Sequence, residues 1–255
     1  MLSVERKNEI SDILKRDKRV VVGELARRFG VSEETIRRDL GKLEREGIAV
    51  KSYGGAVLCG DDKTDMPIDV RKRTNVEGKR KIAEIVSSLI ADGSSVMLDG
   101  SSTALFVARS IKSRKNMTVI TNSLEILIEL KNCKTWKIFS SGGLLGEDSL
   151  ALVGSRADKM ISGFHVETAV ISCKGLDMDK GFTDGSETHA STKRAMLESC
   201  DKRVLAIDGT KFDRIAFTVI GGLEDIDVLA TDVKPSEEWL GKLRAAGVEC
   251  LYPED

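Results

Sequence analysis

From residue 95 onward the chain alternates between two rhythms, and this alternation limits its fold more than any other feature. Short apolar runs stand at SVML (95–98), TVI (118–120), WKIFS (136–140), TAVIS (168–172), VLAI (204–207) and VLAT (228–231), with helical patterns between several of them. Another helical stripe precedes them, formed by Ile82, Ile85, Val86, Leu89 and Ile90. Continuous apolar runs of this length suit strands buried on both faces. Strands that alternate with helices predict an α/β domain, a mostly parallel sheet with helices on both sides. Ligands of such sheets sit beyond the carboxyl ends of the strands. The loops following the first five runs are DGSST, TNS, SGG, KGLD and DGTKF. Parallel strands bring all five to one edge.

The first of these loops marks the chemistry. Gly100 to Thr103 sit where a strand hands over to a helix, and a helix N-terminus offers unpaired N–H groups and partial positive charge. Gly100, Ser101, Ser102 and Thr103 suit a phosphate, because glycine lets it approach the backbone and the hydroxyls add donors. Lys174, Lys193 or Lys211 can neutralise it, and Asp99, Asn122 or Asp208 can bind sugar hydroxyls. Thr121, Ser123, Gly142 and Gly143 complete the candidate effector site. Structural roles compete with each of these. Gly-Ser loops are ordinary turns, Asp99 can cap its helix, and Lys193 can lie solvated on a helix face. A lysine in a loop just beyond a strand, as Lys211 is, has few structural duties.

The first 58 residues follow another pattern. They carry 13 Lys and Arg against 10 Asp and Glu, a balance of +3 within a chain of net charge −1. Ile10, Ile13 and Leu14 mark the inner face of one helix, and Val22, Leu25, Ala26 and Phe29 that of a second. Gly30 closes the second helix and Ser32 is placed to cap a third, running to about Glu46, whose buried stripe is Ile36, Leu40 and Leu43. That stripe puts Glu34, Arg38 and Arg45 on the opposite face and Thr35, Arg37 and Lys42 on its flanks. A hairpin signal follows, with Ser52 to Gly55 between two short apolar stretches. Helix, tight turn, helix and hairpin make a winged helix-turn-helix, whose third helix fits a DNA major groove. The candidate DNA contacts are Ser32, Glu34, Thr35, Arg37, Arg38 and Lys42, with Lys51 and Tyr53 on the wing. The competing reading is a solvated helix face with Glu34 and Arg38 paired at i, i+4. The domains expected are 1–58 for DNA binding, a polar linker at 59–73 and an α/β effector domain at 74–255.

These stretches carry a family resemblance. ERKNEISDILKRDKRVVVGELARRFGVSEETIRRDLGKLEREGIAVKSYGGAV resembles the N-terminal domain of DeoR-type bacterial transcriptional regulators, and VSEETIRRDLGKLEREG resembles their recognition-helix signature. PIDVRKRTNVEGKRKIAEI, DGSST, TNS, SGG, GLD, KRAM and DGTKF are similar to the family's C-terminal domain, so the resemblance covers nearly the whole chain. It implies a sugar-metabolism regulator, usually a repressor, whose C-terminal domain binds a phosphorylated sugar and is related in fold to ribose 5-phosphate isomerase. The chain departs from the pattern at Thr188 and His189, where the family usually has acidic residues, and at Lys51 and Tyr53, where Arg and His are common.

Other classes find less support. Asp184, Glu187 and Asp208 are available as bases for an aldose–ketose isomerase with an accessory DNA-binding domain, but the isomerase's Asp-Gly-Ala-Asp-Glu signature is missing. Five scattered cysteines without a CxxC pair offer neither a disulfide framework nor an evident redox centre, and two histidines fit no metal spacing. No cofactor or metal is expected. The N-terminus lacks the apolar core of a signal peptide and no apolar run approaches a membrane span, so the expected setting is the cytoplasm without a membrane. The expected partners are double-stranded operator DNA, a phosphorylated sugar and at least one further copy of the chain, as a dimer or tetramer.

Overall fold

The computed structural model describes residues 3–45, 48–52, 54–58, 66–146 and 149–254. They fall into two compact units, Met1–Thr74 and Asn75–Asp255.

The first unit comprises α1 (Ser3–Asp17), β1 (Arg19–Val21), α2 (Val22–Phe29), α3 (Glu33–Arg45), β2 (Ala49–Ser52), β3 (Gly55–Leu58) and α4 (Ile68–Arg71). The helical stripes close on one another: Ile10, Leu14, Ile36 and Leu43 are fully buried, and Val22 and Leu25 join them. Gly30 ends α2 in the left-handed conformation, φ 62°, which a side chain would strain. Its N–H and that of Val31 both return to the Ala26 carbonyl. Strands β2 and β3 form the expected antiparallel wing, with Ser52 opposite Gly55. The sheet also gains β1, in the order β1-β3-β2, a strand too short for apolar periodicity to reveal. Within the segment read as a linker, Ile68 and Val70 of α4 are buried, and residues 59–65 lie outside those described.

The second unit begins with α5 (Val76–Ser88), β4 (Ser95–Leu98), α6 (Ser102–Ser110), β5 (Thr118–Thr121), α7 (Leu124–Leu130) and β6 (Lys137–Ser140). It continues through β7 (Leu144–Leu145), β8 (Leu152–Val153), α8 (Ser155–Ile161), β9 (Val166–Ile171), β10 (Gly175–Asp177), β11 (Gly181–Asp184), α9 (Glu187–Glu198), β12 (Cys200–Ala206), β13 (Thr218–Gly221), β14 (Val228–Ala230), α10 (Glu237–Ala245) and β15 (Glu249–Leu251). Seven strands make one sheet in the order β15-β14-β12-β9-β4-β5-β6, and every neighbouring pair is parallel. Successive residues of β4 face opposite sides: Val96 and Leu98 pack with α5, α6 and α7, while Met97 packs with α8, α9 and α10. This is a doubly wound sheet. The chain moves outward from β4 to β6 and then returns to place β9 on the other side of β4, so the strand order reverses between β4 and β9.

Two departures from the expected loop set concern the rim of the sheet. Gly175–Asp177, expected within a loop, is strand β10 of a separate antiparallel sheet ordered β10-β11-β13, so the true loop after β9 is 172–174. Strands β7 and β8 pair as a second small antiparallel sheet.

Candidate functional site

The loops after β4, β5, β6, β9 and β12 leave the sheet at one edge. The β4 loop sits at the strand-order reversal, where parallel sheets open a crevice. Asp99 spans it. One carboxylate oxygen accepts the Ser101 N–H at 3.1 Å and the other accepts the Ser172 N–H at 3.0 Å, which ties the loops after β4 and β9 together. Ser101 caps α6 by accepting the Ala104 N–H at 3.0 Å. The first two helical N–H groups, those of Ser102 and Thr103, meet no acceptor among the described residues and lie in the first turn, where the helix dipole is positive. Gly100 is required beneath this turn: a Cβ there would stand 2.6 Å from the Ala151 Cβ.

Beneath these loops lies a buried charge cluster. The Lys193 ammonium donates to the Ser172 carbonyl at 2.7 Å, pairs with Asp184 and stands 3.5 Å from Asp99 Oδ2. Lys193 is thus a brace joining α9, β11 and the β4 and β9 loops, and the solvated position considered for it does not occur. Burial pushes the Asp184 carboxyl up, but Lys193 outweighs it and holds the group below the ordinary carboxylate range. For Lys193, burial works downward, and Asp184 and Asp99 more than reverse it, raising the ammonium above the usual lysine value. Both partners stay charged.

The remaining candidates divide by what they already bind. Thr121 donates to the Leu98 carbonyl at 2.7 Å, and Ser123 caps α7 by accepting the Ile126 N–H at 3.3 Å. Asp208 is taken up by Thr210, through its N–H at 3.0 Å and its hydroxyl. Asn122 donates to the Leu152 carbonyl at 3.0 Å, while its own side-chain oxygen is buried without a partner. Gly142 and Gly143 are exposed beyond β6. Lys174 lies beside Gly185, and Lys211 is half-buried and close enough to act on the Cys173 thiol. Sequence reasoning weighed Asp184 only as a base, not as the partner of Lys193, and missed the segment 149–152, whose Ala151 roofs Gly100.

In the first unit, Glu34, Arg37 and Arg38 are exposed on α3, with Thr35 half-buried. Ser32 accepts the Thr35 N–H at 3.3 Å, as a cap should. The i, i+4 ion pair of α3 is Glu33 with Arg37 at 2.6 Å, one residue away from the expected Glu34–Arg38 pair, and Arg38 has no ion-pair partner among the described residues. Lys42 turns toward α1, bonding Ser3 at 3.2 Å and standing 3.7 Å from Asp39. Lys51 lies 3.4 Å from Glu44, and Tyr53 falls outside the described residues. The sequence also hid Asp39, 1% exposed and bound by Arg6 at 2.7 Å, which fastens α3 to α1. Its place three residues after Ile36, beside the buried stripe, was the available signal.

Burial pushes the thiols up, Cys173 to about 12 and Cys200 and Cys250 each to about 11, which opposes the thiolate that redox chemistry needs. Among the described residues no His, Cys, Asp and Glu group could hold a metal, and no helix is long and apolar enough to cross a membrane.

A winged helix-turn-helix in one chain with a doubly wound sheet defines a DNA-binding transcriptional regulator. Residues 6–61 match the DeoR-like helix-turn-helix domain and residues 74–233 the DeoR C terminal sensor domain. The chain belongs to the DeoR family. The HTH-type transcriptional regulator YulB of Bacillus subtilis is 37% identical over 232 residues, 91% of this chain and 90% of its own. GolR of Listeria innocua is 34% identical over 254 residues, all of both chains, and the glycerol-3-phosphate regulon repressor of Escherichia coli is 30% identical over 235 residues, 92% of this chain and 93% of its own. Ribose 5-phosphate isomerase A of Methanocaldococcus jannaschii aligns over 55% of each chain, at 16% identity and a TM-score of 0.41.

Proposed function

We propose that the chain is a cytoplasmic repressor of a sugar-metabolism operon whose operator affinity is set by a phosphorylated sugar. The observation that carries this reading is the α6 N-terminus at the β4/β9 reversal, where the Ser102 and Thr103 N–H groups await an acceptor. A phosphoester brings nearly two negative charges, and charge-assisted bonds to such donors are about twice as strong as neutral ones. Gly100, Ser102 and Thr103 cradle the phosphate, Lys211 and Lys174 supply charge from the facing loops, and Asn122 meets the sugar. Gly142 and Gly143 border the opening. Asp99, Ser101, Thr121, Ser123, Lys193 and Asp208 act through the bonds described above, holding the loops in place.

On the DNA side, Arg38 and Arg37 enter the major groove with Glu34, Thr35 and the Ser32 turn, and Lys51 and Tyr53 follow on the wing. Lys42 supports α3 from behind. Two or more copies pair their reading heads on half-sites about one helical turn apart or a multiple of it. An effector that binds two arrangements of the protein unequally shifts operator affinity, and operator binding shifts effector affinity by the same factor. The test is a thermal-shift screen with phosphorylated sugars followed by operator titration with the best ligand. A folded-state ligand raises the melting temperature by mass action. The reading fails if no phosphorylated sugar raises it, or if the ligand that does leaves operator affinity unchanged.

A further inference from the structure

Asn122 follows β5 and is 2% exposed. Its carboxamide has one orientation: Nδ2 donates to the Leu152 carbonyl at 3.0 Å, while the Asn122 backbone carbonyl accepts the Leu152 N–H at 2.6 Å. Oδ1 is left buried with no donor. It points toward the phosphate loop, 3.6 Å from the place a Cβ on Gly100 would occupy. The free N–H groups of Ser102 and Thr103 open α6 just after Gly100 and Ser101. An acceptor in need of a donor therefore stands beside donors in need of an anion.

A phosphate dianion cannot answer both, because its oxygens only accept, and against Oδ1 they would set lone pair on lone pair. The complement is an anion with a donating hydroxyl next to it, on the carbon adjoining the phosphoester carbon. In hexopyranose 6-phosphates and pentofuranose 5-phosphates that carbon's oxygen is locked in the ring and has no hydrogen. In an acyclic polyol phosphate, an open-chain sugar phosphate or a cyclic sugar 1-phosphate, it is a free hydroxyl. We propose that the effector is a phosphate ester with a free hydroxyl on the adjoining carbon, which excludes the ring forms of hexose 6-phosphates and pentose 5-phosphates, and that this hydroxyl donates to Asn122 Oδ1; this rests on the phosphate cradle proposed above. Ala151 roofs the position, so the bond forms away from bulk water, where a site built to pair a hydroxyl discriminates most strongly against ligands lacking it.

Calorimetry on the full chain tests this with five probes: inorganic phosphate, glycerol 3-phosphate, its deoxy analogue 3-hydroxypropyl phosphate, glucitol 6-phosphate and glucose 6-phosphate. Glycerol 3-phosphate should bind at least about tenfold tighter than 3-hydroxypropyl phosphate, the worth of one buried hydrogen bond. Glucitol 6-phosphate should exceed glucose 6-phosphate by a similar margin. Asn122→Leu should bring the members of each pair to equal affinity. Because that variant also loses the tie to Leu152, the wild-type comparison decides on its own: equal affinities within both pairs, with inorganic phosphate binding, overturn the Asn122 assignment and leave the phosphate cradle standing. Binding of none of the five overturns the cradle and this assignment together.

Discussion

Replacing Lys193 with methionine tests whether the charge cluster beneath the loops holds them together. Methionine keeps the length and the apolar stem but removes every bond made by the ammonium. Asp184 and Asp99, with side chains 5% and 1% exposed, are left without their cation. Breaking a buried pair by removing one partner costs about 3–5 kcal/mol. The low end applies here, because Asp99 keeps its two backbone N–H donors and Asp184 keeps that of Gly185 at 2.7 Å. A loss of about 3 kcal/mol lowers the melting temperature of a unit this size by about 6–12 °C. The pH dependence has a definite sign. In the wild type the folded-state pKa of Asp184 is depressed, so its contribution is present above the ordinary carboxylate value and fades as pH falls through the depressed one. In the variant, burial acts without Lys193 and Asp184 takes up a proton at higher pH, so the deficit is greatest near neutrality and narrows in acid. Both tryptophans, Trp136 and Trp239, lie in the second unit, so their fluorescence during thermal or urea unfolding of the full chain reports that unit. A deficit under about 1 kcal/mol, within the range of an exposed pair, would refute the brace.

Arg38→Ala should weaken operator binding by about 1–3 kcal/mol and relax the preference at one base pair. Arg37→Ala should cost less, since Arg37 must first leave Glu33; titrations on operator variants check the order, and a larger loss at Arg37 contradicts it. Arg6→Ala strands Asp39 and should destabilise the first unit by about 3 kcal/mol, read by circular dichroism, and an unchanged unfolding midpoint would show that Lys42 suffices. Ser102→Glu places a carboxylate at the phosphate cradle and should abolish the response to the effector while operator affinity without effector stays near wild type. A wild-type response would move the effector site elsewhere.

What the sequence disclosed follows from the range of the forces involved. The sheet was legible because strands buried on both faces are apolar throughout, as at Val96, Met97 and Leu98, and the reading head because Gly30, Ser32 and the Ile36 stripe act within a few residues of one another. The turn from β4 into α6 was legible for the same reason, since Gly100 and the capping Ser101 are contiguous with the helix they start. The small antiparallel sheet was not, because β10 and β11 make a short, glycine-bearing hairpin and only β13, far along the chain, completes it. Nor were the roles of Asp99 and Lys193. A lysine in a helix reads alike whether it meets water or carboxylates, and Asp99 joins Ser172 across 73 positions. The resulting division of labour has a physical basis: a lysine already committed to two carboxylates and a carbonyl has little attraction left for a ligand, whereas unclaimed backbone donors and one unpaired amide oxygen cannot be satisfied within the fold. In the proposed cradle, recognition falls to the groups that folding leaves unsatisfied, with Lys174 and Lys211 adding charge, while Lys193 and Asp99 hold those groups in position.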